Sequence, residues 1–192
     1  MRWGITVDES SGNFRASARK MLERVGSALP KKSKRSVVDL MAEYAEKQFD
    51  PKMHTAEHIV NQTMIRLFRS GRCFSAHIER KKSKLDYRFD RPLSREEVEE
   101  MEKRVNKIIR ADLAVVEDFF PRGEAEKRFN LERLPEDTGD RIRIIRIGDY
   151  DACPCIGPHV KSTGEIGAFR VVSSTFAEGV LRIRYKLAKH SG

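Results

Sequence analysis

Cysteine is scarce in this sequence, and so are the features of a secreted or membrane protein. The 192 residues include three cysteines, Cys73, Cys153 and Cys155. An odd number of cysteines, two of them two residues apart, does not predict a disulfide framework. The N-terminal residues lack an apolar signal segment, and no run approaches the roughly 20 apolar residues that a membrane helix needs. We therefore expect a reduced, cytoplasmic protein without a membrane span.

The chain also lacks internal repeats, low-complexity segments and the glycine-rich loop of phosphate-binding folds. Positive charge, in contrast, is in excess: 38 Lys and Arg against 29 Asp and Glu give a formal net charge of +9. A surplus of this size favours a phosphate-rich partner, although it also fits a protein that is merely kept soluble by charge. The length suits one domain with an appendage, or two small domains.

Helical and strand-like periods follow one another without strict alternation. This pattern predicts an α+β fold, in which an antiparallel sheet packs with helices. Two helical stretches predict an N-terminal helical hairpin over residues 1–50, and residues 51–192 form the main domain. Asp50 and Pro51 predict the start of a helix, and Ser94 with Glu97 forms a capping-box pattern. Residues 141–147 alternate isoleucine and arginine, which predicts a strand with one apolar and one cationic face.

Two short motifs, far apart in the chain, carry side chains that bind transition metals. His54 and His58 are four residues apart in a helical stretch, so both side chains can face one ion. Cys155 and His159 are also four residues apart, with Gly157 tightening the backbone between them. Three imidazoles and one thiolate form a tetrahedral set that favours zinc. The two pairs therefore predict a single Zn²⁺ site that joins distant parts of the chain.

Several alternatives remain open at this point. Cys153 lies two residues from Cys155 and would face the same side of a strand, so it replaces Cys155 as ligand, joins the site or packs in the core. Four protein ligands suit a closed structural site, whereas a catalytic site keeps one position open. The segment from His54 to His58 also matches the HxxEH signature of inverted zinc peptidases, with Glu57 as general base. That interpretation leaves the second ligand pair unexplained.

From about Pro51 onwards, the order of motifs resembles the editing domain of alanyl-tRNA synthetase and the freestanding alanyl-tRNA editing proteins. That domain is similar to the editing domain of threonyl-tRNA synthetase. The matching segments are residues 54–58, 85–90, 95–106, 124–125, 139–144, 155–160, 163–167 and 182–185. The sequence Gly157-Pro158-His159 is similar to the threonyl branch, and the segment from Thr163 to Gly167 is similar to the alanyl branch. Residues 1–50 match no family.

The resemblance implies hydrolysis of the ester of mischarged tRNA, with Zn²⁺ bound by His54, His58, Cys155 and His159. Since no synthetase catalytic domain is recognised, we expect a freestanding, ATP-independent editor that acts in trans and contributes to translation fidelity. The expected substrate is Ser- or Gly-tRNA(Ala), and an editor of Ser-tRNA(Thr) is the alternative within the family. A different class, a non-catalytic tRNA- or RNA-binding module with a structural zinc, also fits the sequence.

An aminoacyl ester is already activated, so its hydrolysis mainly needs a positioned water and a stabilised oxyanion. We expect Thr55, Ser75 or His77 to position the substrate and Thr163 to assist. The partner is the acceptor end of mischarged tRNA, bound by the cationic surface in a salt-dependent way. Phe74 or Tyr87 offers a ring for base stacking, with core packing as the alternative role. The oligomeric state is not readable from the sequence.

Overall fold

The computed structural model of this protein describes residues 50–132, 134–135 and 138–188. The elements in these ranges are α1 (Pro51–Phe68), β1 (Ser75–His77), β2 (Ser83–Arg88), α2 (Arg95–Arg110), β3 (Val115–Pro121), α3 (Arg122–Arg128), β4 (Arg141–Ile147), β5 (Asp151–Pro154), β6 (Ala168–Ala177) and β7 (Val180–Ala188). The predicted α+β class is confirmed. The predicted N-terminal hairpin lies outside the described residues, and the division into domains at residue 50 stays a prediction.

Helix α1 begins where the sequence predicts it. One carboxylate oxygen of Asp50 accepts hydrogen bonds from the backbone N–H groups of Lys52 and Met53, at 3.0 and 3.1 Å. Pro51 occupies the first turn, where a missing N–H costs nothing. The helix ends at Arg69, whose φ of 53° is left-handed. One face of α1 is fully buried, through Met53, Ala56, Ile59, Val60 and Met64. Burial of this face fixes the direction in which the two histidines of α1 point.

A four-stranded antiparallel sheet packs against this helix in the main hydrophobic core. Its strand order is β1-β2-β7-β6, and β6 and β7 are joined by the predicted tight connection at Gly179. Alternate residues of the two central strands are completely buried, namely Leu85, Tyr87, Leu181, Ile183 and Tyr185. Tyr87 is therefore a core residue: its predicted role in core packing is confirmed, and burial of its ring excludes the other predicted role, base stacking.

Helix α2 confirms the capping box seen in the sequence. The Ser94 hydroxyl accepts from the Glu97 N–H at 3.2 Å, and the Glu97 carboxylate accepts from the Ser94 N–H at 2.8 Å. Met101, Val105 and Ile109 form its buried stripe. No helix in the described part of the chain combines the length and the apolar composition that crossing a lipid bilayer would require.

A second, three-stranded antiparallel sheet has the order β3-β4-β5, so the strands form two sheets rather than one. Strand β4 departs from the predicted division into an apolar and a cationic face. Ile142 and Ile144 face a small cluster around Ala125 of α3, whereas Ile145 and Ile147 are buried on the opposite face. Successive side chains of a strand point to opposite faces. The adjacent residues Ile144 and Ile145 therefore move the apolar side chains from one face of β4 to the other. Both faces of this sheet are therefore partly covered.

Strand β5 was not predicted, and it is the strand that leads into the second ligand pair. It pairs with β4 so that Cys153 lies opposite Ile145 and Asp151 lies opposite Ile147. Cross-strand partners have their side chains on the same face of a sheet. Cys153 and Asp151 therefore share the Ile145 face, which is turned towards the histidines of α1, as the contacts described below show.

Arg182 and Asp86 form a cross-strand ion pair whose loss we expect to be measurable. They are opposite each other in β7 and β2, and the guanidinium donates two hydrogen bonds, at 2.7 and 2.8 Å, to a carboxylate that is almost fully buried. Burial raises the pKa of Asp86, but the hydrogen bonds and the charge of Arg182 lower it by more than burial raises it. The pKa of Asp86 is therefore below its usual value. Arg182→Leu should reduce the free energy of unfolding by about 1–3 kcal/mol at neutral pH.

The pH dependence of that effect follows from its sign. A carboxyl with a lowered folded-state pKa stabilises the fold above its unfolded pKa, about 3.9, and loses this contribution as the pH falls through the folded value. Urea unfolding at neutral pH and at about pH 2 should therefore show a large difference between wild type and Arg182→Leu at the higher pH and a small one at the lower. An equal difference at both pH values would mean that the effect comes from packing.

Candidate metal centre

Four side chains from the two predicted motifs meet at one point. One ligand atom each of His54, His58, Cys155 and His159 lies within 4.8 Å of the others. The Cys155 sulfur is 3.4 Å from Nε2 of His54 and 3.4 Å from Nε2 of His159. The ring centroids of His54 and His159 are 4.4 Å apart, and those of His58 and His159 are 4.6 Å apart. The spatial closure that the sequence predicts is present.

Thr55 fixes the tautomer of His159. Its hydroxyl donates its single proton to the Pro51 carbonyl at 2.8 Å, so it can only accept from other groups. It accepts from the Val160 N–H at 3.2 Å and lies 3.2 Å from Nδ1 of His159. Nδ1 of His159 must then carry the proton, and the lone pair of Nε2 is directed towards Cys155. Thr55 is therefore a positioning residue for His159, and its hydroxyl has no capacity left for a substrate.

Thr55→Val tests this role, because valine keeps the shape and removes the acceptor. Loss of a group that orients a metal-binding histidine typically weakens metal affinity by about 10- to 100-fold. We expect a decrease of that size in zinc affinity, measured by competition with a chromophoric chelator. Thr55→Ser should bind zinc as wild type does, since it keeps the hydroxyl. Equal affinities of the valine and serine variants would show that the hydroxyl does not orient His159.

His54 is held by the loop that carries the second pair. Its Nδ1 is 3.2 Å from the Pro158 carbonyl, so Nδ1 carries the proton and Nε2 faces the Cys155 sulfur. Gly157 allows this approach: a Cβ at residue 157 would lie 2.5 Å from Nδ1 of His54 and even closer to Cε1. Glycine is therefore required between the second pair of ligands, because a Cβ there would collide with the ring of His54, which is about a hundred residues earlier in the chain.

His58 is buried and is oriented by acidic groups from β5. Its Nδ1 is 3.3 Å from the Asp151 carboxylate and 3.3 Å from the Cys153 sulfur. Arg72 in turn donates a hydrogen bond to Asp151. Burial lowers the pKa of His58, but the charge of Cys153 and the hydrogen bond to Asp151 outweigh it and raise the pKa well above its usual value. Groups that favour a proton on this ring also favour a metal cation beside it.

The surroundings of the Cys155 sulfur favour the form that binds metals. Burial raises the pKa of this thiol, but its close contacts with the rings of His159, His54 and His58, together with the charge of His58, lower the pKa well below its usual value. The thiolate is the form that binds metals. Burial and the charges of His58 and His54 lower the pKa of His159 to about 4, so its imidazole is neutral at neutral pH. One thiolate and three imidazoles with ligand atoms within 4.8 Å of one another fit Zn²⁺ in their chemistry.

Arg143 of β4 holds the loop in place, and sequence reasoning did not identify it. Its Nη1 donates to the carbonyls of Cys155 and Gly157 at 3.1 and 2.7 Å, and Nη2 donates to Glu117 at 2.5 Å. The fork geometry of a guanidinium allows one side chain to bind several acceptors at once. In the sequence, Arg143 is one of three arginines that alternate with isoleucine in β4, and nothing there distinguishes it from the other two.

The other predicted catalytic residues have contacts of their own. Thr163 is fully buried, accepts from the Leu113 N–H at 2.9 Å and donates to the Ile108 carbonyl at 2.9 Å. His77 lies on the edge strand β1, where its exposed ring contacts Glu79 at 2.7 Å. Ser75 is half-buried on the same strand. These contacts give Thr163 a structural role and place His77 at the protein surface. The catalytic roles of Thr163, His77 and Ser75 stay predictions.

The structure bears on two alternatives that the sequence left open: Glu57 as the general base of a zinc peptidase, and Cys153 as a ligand of the metal centre. Glu57 is buried, and one oxygen accepts from Asn61 at 2.6 Å and lies 3.5 Å from the Cys73 sulfur. A general base must reach a water, so this position does not suit the role that a zinc peptidase requires. Cys153 belongs to a second group of candidate ligands with His58 and Asp151, whereas Cys155 belongs to the four-residue group.

The comparisons with known proteins agree with this geometry. Residues 142–184, which include Cys155 and His159, match the family described as the threonyl and alanyl tRNA synthetase second additional domain. The alanine–tRNA ligase of Aeropyrum pernix is 34% identical over 136 residues, which are 69% of this chain and 15% of the ligase. The corresponding ligase of Pseudoalteromonas translucida is 31% identical over 154 residues, 76% of this chain and 17% of the ligase.

The chain thus spans about one sixth of the length of the ligases that it resembles. The sequence-based recognition is confirmed: the chain carries an alanyl-tRNA synthetase-like editing domain, and its residues 142–184 match the threonyl and alanyl tRNA synthetase second additional domain family.

Proposed function

We propose that this chain is a zinc-dependent hydrolase that removes the amino acid from mischarged tRNA, with Ser- or Gly-tRNA(Ala) as substrate. The observation that carries the proposal is the convergence of His54, His58, Cys155 and His159 in a chain similar to alanine–tRNA ligases. The proposal includes action in trans, on tRNA that another protein has aminoacylated, and a cytoplasmic location, where aminoacylation takes place.

The side chains of the site would have two roles: four of them would bind Zn²⁺, and others would orient those ligands and the loop. Bound Zn²⁺ would supply a positive charge that orients the substrate amine or polarises a water. Thr55 keeps the Nε2 lone pair of His159 towards the centre, and the Pro158 carbonyl does the same for His54. Arg143 holds the loop against β4 through the carbonyls of Cys155 and Gly157. Since the ester is already activated, such pre-organisation contributes most of the required acceleration.

The charge of the chain supports tRNA as the partner. A net charge of +9 gives an attractive field for a phosphate backbone. Each phosphate that the protein neutralises releases counterions, so the affinity should fall steeply as salt is added. We propose that the acceptor end of the tRNA enters the site, since the ester to be cleaved is at the 3′ end.

A deacylation assay tests the proposal directly. The purified chain, loaded with zinc, should hydrolyse Ser-tRNA(Ala) or Gly-tRNA(Ala) and leave correctly charged Ala-tRNA(Ala) intact. The His54→Ala variant is the control for contaminating esterases and should be inactive. Preference for Ser-tRNA(Thr) over Ser-tRNA(Ala) would move the assignment to the threonyl branch, which Gly157-Pro158-His159 resembles. Intact esters of all these tRNAs with the zinc-loaded chain would contradict the proposed activity.

A second candidate function is a tRNA-binding module in which zinc is structural. Four protein donors within 4.8 Å of one another can close a tetrahedral shell and leave no position for a substrate. In that case the chain should bind tRNA tightly without turnover, and chelation should lower its melting temperature together with its RNA affinity. Hydrolysis that is lost on chelation and restored by zinc, with the fold intact, would exclude this candidate.

A further inference from the structure

Phe119 of β3 is an exposed aromatic side chain that the candidate centre does not use. Half of its surface, 50%, is accessible to solvent, although it lies in the middle of a strand. The guanidinium of Arg141 lies 5.7 Å from the centre of its ring. An aromatic ring beside an arginine offers both a stacking surface and a positive charge.

The strand register places this ring beside the metal-binding loop. Phe119 is the direct cross-strand partner of Arg143, so both side chains lie on the same face of the sheet. Arg143 is the residue that binds the carbonyls of Cys155 and Gly157. Cys153 lies on that face as well, as the partner of Ile145. The exposed ring is therefore the direct cross-strand neighbour of the side chain that holds the loop.

Ile156 continues the same exposed surface. It lies between the two carbonyls that Arg143 binds, and 62% of its surface is accessible. Leaving a large apolar side chain in water forgoes about 1.5–3 kcal/mol of burial, so two of them beside one arginine indicate a surface that a partner covers. Arg143 is paired with Glu117, so the positive charge available beside the ring is that of Arg141, and a cation beside a flat apolar ring suits a partner with negative charge between flat apolar groups. Single-stranded nucleic acid has that chemistry.

We propose that Phe119 and Arg141 form a stacking platform for a nucleobase at the single-stranded 3′ end of tRNA, which positions the esterified ribose at the metal centre. This inference rests on the proposed function for the identity of the RNA. Phe119 is a positioning residue in this proposal, since it contacts the base and not the ester. Stacking on an aromatic ring tolerates different bases, and Arg141 adds attraction to the ring and to nearby phosphates.

The test uses a short RNA ending in CCA, in which 2-aminopurine replaces the last adenine. Its fluorescence falls when the base stacks, so binding and stacking are measured without hydrolysis. Wild type should quench the signal, and Phe119→Ala should bind about 5- to 100-fold more weakly with little quenching. Phe119→Trp should restore both. Phe74→Ala is the matched control: Phe74 is 46% exposed with Arg88 at 4.8 Å from its ring, but its backbone N–H pairs with Asp86 beside the other sheet.

The outcomes separate this inference from the proposed function. If the chain hydrolyses no aminoacyl-tRNA but the quenching depends on Phe119, the function is wrong and the platform stands. If hydrolysis is present, Phe119→Ala should raise KM about 5- to 100-fold and leave kcat within about threefold. Unchanged RNA affinity in Phe119→Ala would overturn the proposal, and a lowered melting temperature in that case would show that the ring packs against protein. Greater loss in Phe74→Ala would place the platform on the other sheet.

Discussion

The His159→Ala variant is expected to bind no stoichiometric zinc and to lose deacylation activity by about 1000-fold or more, equivalent to roughly 4 kcal/mol of transition-state stabilisation. His159 is the ligand whose ring is most closely constrained: Thr55 holds its Nδ1, and its Nε2 lies 3.4 Å from the Cys155 sulfur. Removing it leaves three donors, one of which, the Cys155 sulfur, has lost the contact that does most to lower its pKa. Metal content by mass spectrometry and initial deacylation rates measure the two effects.

His77→Ala is the matched control for metal content. It removes another histidine of the main fold, but the ring of His77 is exposed and contacts Glu79. This variant should keep the zinc stoichiometry of wild type. If His159→Ala retained one zinc per chain and wild-type activity, Cys153 and Asp151 with His58 would be the alternative binding group. The assignment of His159 as a ligand would then be wrong.

The Gly157→Ala variant is expected to weaken zinc affinity by about 100-fold or more while the chain remains folded. The added methyl group would lie 2.5 Å from Nδ1 of His54, so the ring or the loop must move. Movement of either separates His54 from Cys155 and breaks the contact between His54 and the Pro158 carbonyl. Disturbing the orientation of a metal-binding histidine alone costs about 10- to 100-fold in affinity, and displacing the ligand itself should cost at least as much.

Gly123→Ala provides the comparison for this prediction. Gly123 lies in helix α3, and a Cβ there would meet no atom within 4 Å. Alanine in a helix is more favourable than glycine by up to about 1 kcal/mol, so this variant should keep its zinc affinity and be slightly more stable. Zinc titration against a chelator, together with thermal unfolding of the zinc-free protein, separates affinity from stability. An affinity for Gly157→Ala within threefold of wild type would contradict the close approach of the loop to His54.

Local signals in the sequence predicted much of the fold and the centre of the site. Asp50 and Pro51 set the start of α1 because capping depends only on adjacent residues, and the same holds for Ser94 and Glu97 at α2. The spacing of His54 and His58 was sufficient to place both on one side of the helix. The second pair could be connected to the first only because zinc chemistry requires four compatible donors.

The features of the site that the sequence did not predict depend on contacts between residues far apart in the chain. Arg143 binds the loop twelve and fourteen residues away, and Asp151 reaches His58 across two elements. Neither contact has a spacing that periodicity can reveal. The contact between the Thr55 hydroxyl and His159 was not predicted for a related reason. Whether a buried hydroxyl is free depends on partners such as Pro51 and Val160, and their positions follow from tertiary packing.

The change of face within β4 is a similar case. Ile144 and Ile145 are adjacent in the sequence, and an alternating pattern gave no reason to bury both sides of the strand. The structure buries one against α3 and the other on the face of Cys153, because two separate clusters meet at this sheet. A single sequence does not show how many layers surround a strand.

X-ray absorption at the zinc K-edge of the purified, zinc-loaded chain measures the ligand set most directly. We predict one zinc per chain, with three nitrogen ligands at about 2.0–2.1 Å and one sulfur ligand at about 2.3 Å. Cys155→Ser should remove the sulfur scattering, and Cys153→Ser should leave it unchanged. Sulfur scattering that disappears with Cys153→Ser and persists with Cys155→Ser, or a chain that takes up no zinc, would contradict a centre built from His54, His58, Cys155 and His159.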